Sequence, residues 1–417
     1  MTTVKGILAR DAELPRPLPA PAAQDRHPSA HEVARPDIAV LVYDLRASGV
    51  VLNAIRIAEA ALAAGMATEL WVIDKQGPLL HTLPAGLKLR AIRETQSAAP
   101  RALSSALAIP HLVALLRRHR PALLFSAGNH VHAFAALGHR LARVPDTKLV
   151  GRVSNALAAT VPPKRSGPLG HVLKALAVRL ERLQFRSMDS LIAVSHELGG
   201  DLVKHGKISP RDIAVIPNGV DPSAIARKAG EPLDHPWFAP GEPPVILAIG
   251  RLCRQKNFAQ TIRAFALLRR DRMARLVILG SGTDAQRDAL QRLADDLGVG
   301  QDVWFAGYQP NPFRFLARAR LFVMTSRWEG ASNVLVEALA CGLPIVATDC
   351  PTGVREVLDG LPTGRLVPVG DATATADAMR ELLTLPPCPD TARQAAAAYT
   401  LEQCLGRYRS VLKALRG

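Results

Sequence analysis

Short apolar runs alternate along the chain with longer segments whose apolar residues recur at helical spacing. IAVLVY (residues 38–43) and ELWVID (69–74) are the first two runs, and a helical pattern over 50–64 lies between them. Runs at 122–126, 148–152, 190–195 and 213–217 repeat the arrangement. Those at 245–250, 276–280, 303–307, 319–324 and 345–348 carry it through the second half. Runs of this kind suit strands buried on both faces, and helical segments between them predict parallel strand–helix–strand units. The expected class is therefore α/β with parallel sheets.

Proline breaks the pattern in two places. Pro15, Pro17, Pro19, Pro21, Pro28 and Pro36 fall in a stretch without periodicity, so residues 1–36 read as a mobile tail. Pro232, Pro236, Pro240, Pro243 and Pro244 mark a linker, which predicts a domain over 37–225 and a second over 226–395. The first opens on a strand, the turn Ser48-Gly49 and a helix, where a glycine lets backbone approach a ligand. In the second, Gly280, Gly282 and Ala285 imitate a dinucleotide-binding turn. That reading requires an acidic residue at the end of the next strand. The strand ends in Gly307, so the dehydrogenase reading fails.

The most informative stretch is TSRWEGASNVLVEALACGLPIVAT, residues 325–348. A strand leads into it, Ser332 or Asn333 is a fitting N-cap, and Gly342 and Pro344 stop the helix. Glu337 lies in the middle of a helix that is apolar almost all round, where a carboxylate needs a partner. Glu329 precedes it by eight positions, farther than suits two carboxylates acting on one atom. The spacing suits two grips on one long ligand, with the backbone N–H groups of Ala331, Ser332 and Asn333 aimed at an anion between them. The alternative is a solvent-facing Glu337 and an ordinary loop charge at Glu329.

The run Glu329-x7-Glu337-Ala338-Leu339-Ala340-Cys341-Gly342-Leu343-Pro344 resembles the signature of the retaining nucleotide-sugar glycosyltransferases of glycosyltransferase family 4. The likeness extends from about residue 38 to the C-terminal end and is strongest over 190–370. Arg251, Lys256 and Asn257 match the family's G-R-L-x-x-x-K-N segment, and IPNGVD (216–221) resembles its interdomain junction. The resemblance implies a GT-B fold: two Rossmann-like domains facing across a cleft, with a last helix over 391–416 crossing back as a segment 396–417. It also implies that Glu337 holds the ribose hydroxyls, that Glu329 holds the donor sugar, and that Arg251 and Lys256 stabilise the leaving diphosphate.

Further roles follow from the same likeness. Gly49 would approach the diphosphate, Gly307 and Tyr308 would lie by the base, His130 would face sugar or acceptor, and Arg152 would stand on the acceptor side. The segment 355–357, with Glu356, matches a part of the family read as structural. One departure is clear: related chains carry Gly-Gly-x-Glu where this one has Ser48-Gly49-Val50-Val51, so that glutamate's role is absent. No cofactor is implied. The nucleotide sugar is a co-substrate, and fixed cations take the place of a metal.

Composition narrows the partners. The 417 residues are 48% hydrophobic and 21% charged, enough for two full cores. A net charge of +16 asks for anionic partners, and between Arg101 and Arg186 the only acidic residues are Asp146 and Glu181. Aromatic residues are 4% and do not interleave with this basic segment, which argues against nucleic acid. Leu173, Leu176, Leu180 and Leu183 form a stripe with Lys174, Arg179, Arg182 and Arg186 around it. The segment reads either as an ordinary surface helix or as one that rests on an anionic membrane. The five cysteines contain no C-x-x-C pair, no apolar run approaches the ~18 residues of a spanning helix, and no secretory leader is evident. A cytoplasmic protein, peripheral on the inner membrane face, is the expectation. The activity expected is transfer from a UDP-sugar, favoured over a GDP-sugar, to a glycan or lipid-linked acceptor in bacterial lipopolysaccharide, capsule or exopolysaccharide assembly. The alternatives are a nucleotide-sugar epimerase of the same fold and a non-catalytic binder of anionic polymer.

Overall fold

The computed structural model describes residues 35–46, 48–93, 101–162 and 167–417. The tail read over 1–36 lies outside the described residues except for its last two, and the loop read over 161–170 lies partly outside. The first lobe runs β1 (Ile38–Val42), α1 (Gly49–Ala63), β2 (Thr68–Val72), β3 (Lys88–Ala91), α2 (Arg101–His119), β4 (Leu123–Ser126), α3 (Asn129–Ala142), β5 (Lys148–Val153), α4 (Pro168–Arg186), β6 (Ser190–Ala193), α5 (His196–Asp201) and β7 (Ile213–Val215). The chain then passes through α6 (Pro222–Ala229) into β8 (Val245–Ile249), α7 (Phe258–Leu268), β9 (Arg275–Leu279), α8 (Asp284–Asp296), β10 (Val303–Gly307) and α9 (Phe313–Leu316). It continues as β11 (Leu321–Met324), α10 (Asn333–Ala340), β12 (Ile345–Thr348), α11 (Val354–Leu358), β13 (Gly364–Val367), α12 (Ala372–Thr384), α13 (Pro389–Ala396) and α14 (Leu401–Arg416).

Both sheets are wholly parallel. Their orders are β3-β2-β1-β4-β5-β6-β7 and β10-β9-β8-β11-β12-β13. β1, β4, β6, β11 and β12 are largely apolar and buried at every position, as strands covered on both faces are, and β2 buries Glu69 only by pairing it with Arg90 and Trp71. Apolar layers cover both faces of each sheet, centred on Leu41 and Val40 in the first lobe and on Ile246 and Leu247 in the second. Strand order reverses between β1 and β4, and again between β8 and β11. Open α/β sheets bind ligands beyond the C-terminal strand ends at such points.

The connection between lobes is double. Val220 N–H donates to the Tyr399 carbonyl at 2.9 Å and Leu401 N–H donates to the Val220 carbonyl at 2.7 Å, so the outgoing and returning chains pair. That pairing interrupts the last helix, which is α13 and α14 broken at Thr400, not one helix over 391–416. α14 lays Cys404, Tyr408 and Leu412 into the first lobe's core, and Arg416 meets Asp37 at 2.9 Å. The boundary expected at residue 225 falls inside α6, whose Ile225 belongs to the second lobe's core.

Candidate functional site

The second lobe's switch point is built by two loops lashed together. Arg327 N–H donates to the Gln255 carbonyl at 2.7 Å, and the Gln255 amide donates to the Trp328 carbonyl at 2.8 Å. Thr325 Oγ1 donates to the Asn257 carbonyl at 3.0 Å and shares a 2.7 Å hydrogen bond with Thr261 Oγ1. This register brings Lys256 Nζ within 2.6 Å of Glu329 Oε1, which also accepts from Ser326 Oγ at 2.6 Å. Both members of the ion pair are largely shielded, with side chains 17% and 8% exposed. Oε2 of Glu329 has no hydrogen-bond partner among the described residues. Ser326 was not singled out in the sequence. Its signal was its place three residues before Glu329 at a strand end.

The expected pairing of Arg251 and Lys256 as two cations on the diphosphate is therefore divided in this structure. Lys256 is engaged with Glu329. Arg251 is exposed, and its guanidinium makes no ion pair or side-chain hydrogen bond among the described residues. Glu337 sits on α10, and its carboxyl accepts no hydrogen bond from a described residue. Burial pushes it up to about 7, while the charges of Arg56 and Lys228 pull the other way. The thiols of Cys341 and Cys350 are pushed up to about 12 by burial and by Glu337 and Glu329 respectively, so both stay protonated.

The two lobes meet at the starts of α1 and α10. Ser48 caps α1, its Oγ accepting from Val51 N–H at 3.4 Å. A methyl group placed on Gly49 would lie 3.3 Å from Asn333 Nδ2, so these expected residues face each other directly. Asn333 Oδ1 accepts from Asn218 Nδ2 at 2.6 Å. Ser332 occupies the N-cap position of α10, but its hydroxyl turns to Met324 Sδ and caps nothing, which leaves the first N–H groups of α10 without a side-chain cap. Ala331 is partly buried beside it. Gly307 and the exposed Tyr308 end β10.

Arg152, expected on the acceptor side, is 1% exposed, and its Nη1 has no hydrogen-bond partner among the described residues. Its Nε donates to the Tyr408 hydroxyl at 2.9 Å and its Nη2 to Asn218 Oδ1, so it joins β5, α14 and the interlobe crossing. The relay Tyr408–Arg152–Asn218–Asn333 ends at the cleft. The sequence pointed to Asn218 only as part of the junction motif. His130, at the start of α3, stands edge-on to Tyr43 and lines a mainly apolar recess of about 400 Å³ between α2 and α3. Burial holds its imidazole below the usual range, partly offset by Asp44. His132, two residues on, is a core residue: burial lowers it to about 3, and its Nδ1 pairs with Ser126 Oγ at 2.7 Å.

The leucine stripe of α4 is turned outward. Leu169, Val172, Leu173, Leu176, Leu180 and Leu183 are all exposed, whereas Gly170 and Phe185 are the buried positions. At ~100° per residue, the six lie on one narrow arc, with Arg179 and Arg186 along its edge. No helix among the described residues is long and apolar enough to cross a membrane.

Two doubly wound parallel lobes whose switch points open onto one cleft define the GT-B class of fold. The family profile described as Glycosyltransferase Family 4 matches residues 47–224, and that described as Glycosyl transferases group 1 matches residues 243–385. The chain belongs to the glycosyltransferases of family 4.

Among its relatives, a Campylobacter jejuni N-acetylgalactosamine-N,N'-diacetylbacillosaminyl-diphospho-undecaprenol 4-alpha-N-acetylgalactosaminyltransferase is 35% identical over 183 residues, 44% of this chain and 47% of that protein. The lipopolysaccharide core biosynthesis glycosyltransferase LpsE of Rhizobium meliloti is 35% identical over 173 residues, 42% and 48% of the two chains. These alignments span about half the length of the relatives they match. Anabaena HepE, solved in complex with UDP, superposes with a TM-score of 0.69 at 19% identity, covering 91% of this chain and all of that one.

Proposed function

We propose that this protein transfers a glycosyl group from a nucleoside diphosphate sugar to a glycan or lipid-linked acceptor, with retention of anomeric configuration, in bacterial surface-polysaccharide assembly. The observation that carries the reading is the convergence at one cleft of Lys256, Glu329 and Ser326 with the facing pair Gly49 and Asn333. In this reading Glu337 accepts hydrogen bonds from the ribose hydroxyls, and the start of α10 receives the diphosphate. Glu329 positions the donor sugar through its second oxygen. Arg251 and Lys256 stabilise the charge that develops on the leaving diphosphate, the largest electrostatic demand of the reaction. Gly307 and Tyr308 border the base.

The donor class follows the UDP held by HepE, and the acceptor class follows the lipid-diphosphate glycan named for the Campylobacter relative. In this reading the acceptor approaches the recess beside His130. Because fixed cations do the electrostatic work, activity is expected to survive a chelator. The direct test is release of free nucleoside diphosphate from a panel of nucleotide sugars, with and without a lipid-linked glycan acceptor. Acceptor-dependent release supports transfer. Conversion of the donor to an epimer without acceptor would replace the reading with a nucleotide-sugar epimerase.

The outward stripe of α4 and its arginines fit a bilayer with anionic headgroups, where a lipid-linked acceptor would be met. Leu176→Glu and Leu180→Glu, both at exposed positions, should leave stability within about 0.5 kcal/mol. They should abolish co-sedimentation with liposomes containing anionic lipid. Unchanged co-sedimentation, or wild-type binding indifferent to lipid charge, would rule this docking out.

A further inference from the structure

Two short helices from different lobes exchange carboxylates where the lobes meet. Glu356, in the first turn of α11, accepts from the backbone N–H of His196 at 2.9 Å through Oε2 and from the N–H of Glu197 through Oε1. In return Glu197, in the first turn of α5, accepts through Oε2 from the N–H of Gly353, the residue preceding α11, at 2.8 Å. Each carboxylate thus satisfies backbone donors that would otherwise end a helix unpaired. A capping box does this within one helix, and here the exchange runs between lobes.

The exchange is tied to Glu329. Gly353 has φ +79°, and a side chain on it would sit 2.8 Å from the Gly330 carbonyl, so the segment 352–353 presses on the backbone next to Glu329. The Glu329 carbonyl accepts from Thr352 Oγ1 and from Ala156 N–H of the first lobe at 3.0 Å. Gly330 pairs with Asn155, and its carbonyl accepts from Ser195 Oγ at 3.4 Å. A methyl group on Gly330 would meet the Ser154 carbonyl at 2.1 Å, so the approach requires a residue without a side chain. The backbone carrying Glu329 is therefore held jointly by both lobes, and the two carboxylates form the outer edge of that contact.

We infer that Glu197 and Glu356 form a reciprocal interlobe clasp, positioning residues that fix the closed register in which Glu329 is presented to the donor sugar. Neither touches the reacting atoms. Glu197 stands near the charges of Glu356 and Asp349, and Arg355, which pairs with Asp349, offsets part of that repulsion. The inference rests on the proposed transfer reaction for its kinetic consequence but not for its geometric one.

The test uses the full chain and the variants Glu356→Ala, Glu197→Ala and Glu356→Gln, with an interlobe fluorescence-energy-transfer pair. Glu356→Ala should shift the free protein towards a longer interlobe distance and lower kcat by about tenfold, as expected for losing two exposed hydrogen bonds to a carboxylate. Affinity for nucleoside diphosphate, to which the second lobe contributes Glu337 and the start of α10, should change less than twofold. Glu356→Gln keeps one acceptor oxygen and should recover part of both effects. The double alanine variant should be little worse than either single one, because one clasp is broken in each. An unchanged interlobe distance in Glu356→Ala, or a loss of nucleotide affinity equal to the loss of kcat, would overturn the clasp. If the wild type transfers no sugar, the reaction proposed above fails, while the distance measurement still decides the clasp.

Discussion

Removing the Lys256 ammonium tests the heart of the site, because it separates a structural contribution from a catalytic one. Lys256 and Glu329 are 2.6 Å apart and largely shielded from water. Lys256→Ala leaves the Glu329 carboxylate with Ser326 as its one remaining side-chain donor among the described residues. Breaking a buried pair in this way costs about 3–5 kcal/mol. The Ser326 hydrogen bond and the open cleft edge argue for the lower figure, about 3 kcal/mol. For a lobe of this size that lowers the melting temperature by roughly 6–12 °C. The same change should lower kcat by about a hundredfold, through loss of one preorganised cation at the leaving group.

Adding Glu329→Gln removes the stranded charge. The double variant should regain most of the stability while remaining inactive, a coupling of about 1–3 kcal/mol in the stability cycle. Thermal melts and steady-state kinetics on the four proteins of the cycle measure both quantities. A Lys256→Ala protein with normal melting and turnover within threefold of wild type would refute the assignment.

Two further predictions concern buried polar groups. Glu337 is raised from about 4.5 to about 7 in the folded protein, so the fold binds a proton there that the unfolded chain has released. Its contribution to stability therefore declines as pH rises from about 4.5 to 7, by at most about 3 kcal/mol and less after allowing for its partial exposure. Glu337→Gln should raise the melting temperature at pH 8 but not at pH 4, and it should weaken nucleotide binding at pH 8. Unchanged nucleotide affinity would remove the ribose role. Arg152→Lys should destabilise the protein by about 2–4 kcal/mol, since one ammonium cannot reach both Tyr408 and Asn218. The acceptor KM of the folded variant should be unchanged. Normal melting with a raised acceptor KM would return Arg152 to the acceptor side.

The parallel architecture was legible because strands buried on both faces must be continuously apolar, as in IAVLVY and the run before Thr325. β3 and β13 were missed for the complementary reason. Both are edge strands, and the half-exposed Lys88–Ala91 and Gly364–Val367 mix charge with apolar residues. The break at Thr400 was invisible because it depends on pairing with Val220, far away in sequence. The 2.6 Å contact of Lys256 with Glu329 joins two segments singled out by the family resemblance, whereas spacing alone left Glu329 and Glu337 open to an ordinary surface reading. The burial of Arg152 was not legible, because a buried arginine at a strand end looks the same in sequence as one reaching into a cleft. Glu197 and Glu356 carried no local signal as a pair, since each acts on the other's helix across 159 residues of chain.

Melting of the full chain with UDP, GDP and ADP at equal concentration decides whether the cleft between the lobes holds a nucleoside diphosphate. A ligand at about 100 times its Kd adds near 2.7 kcal/mol, which is easily read as a shift. The melting temperature should rise with one diphosphate, UDP foremost, and that rise should be lost in Glu337→Gln at pH 8. No rise with any of the three would contradict a nucleoside diphosphate site, and would leave the basic surface as a binder of anionic polymer.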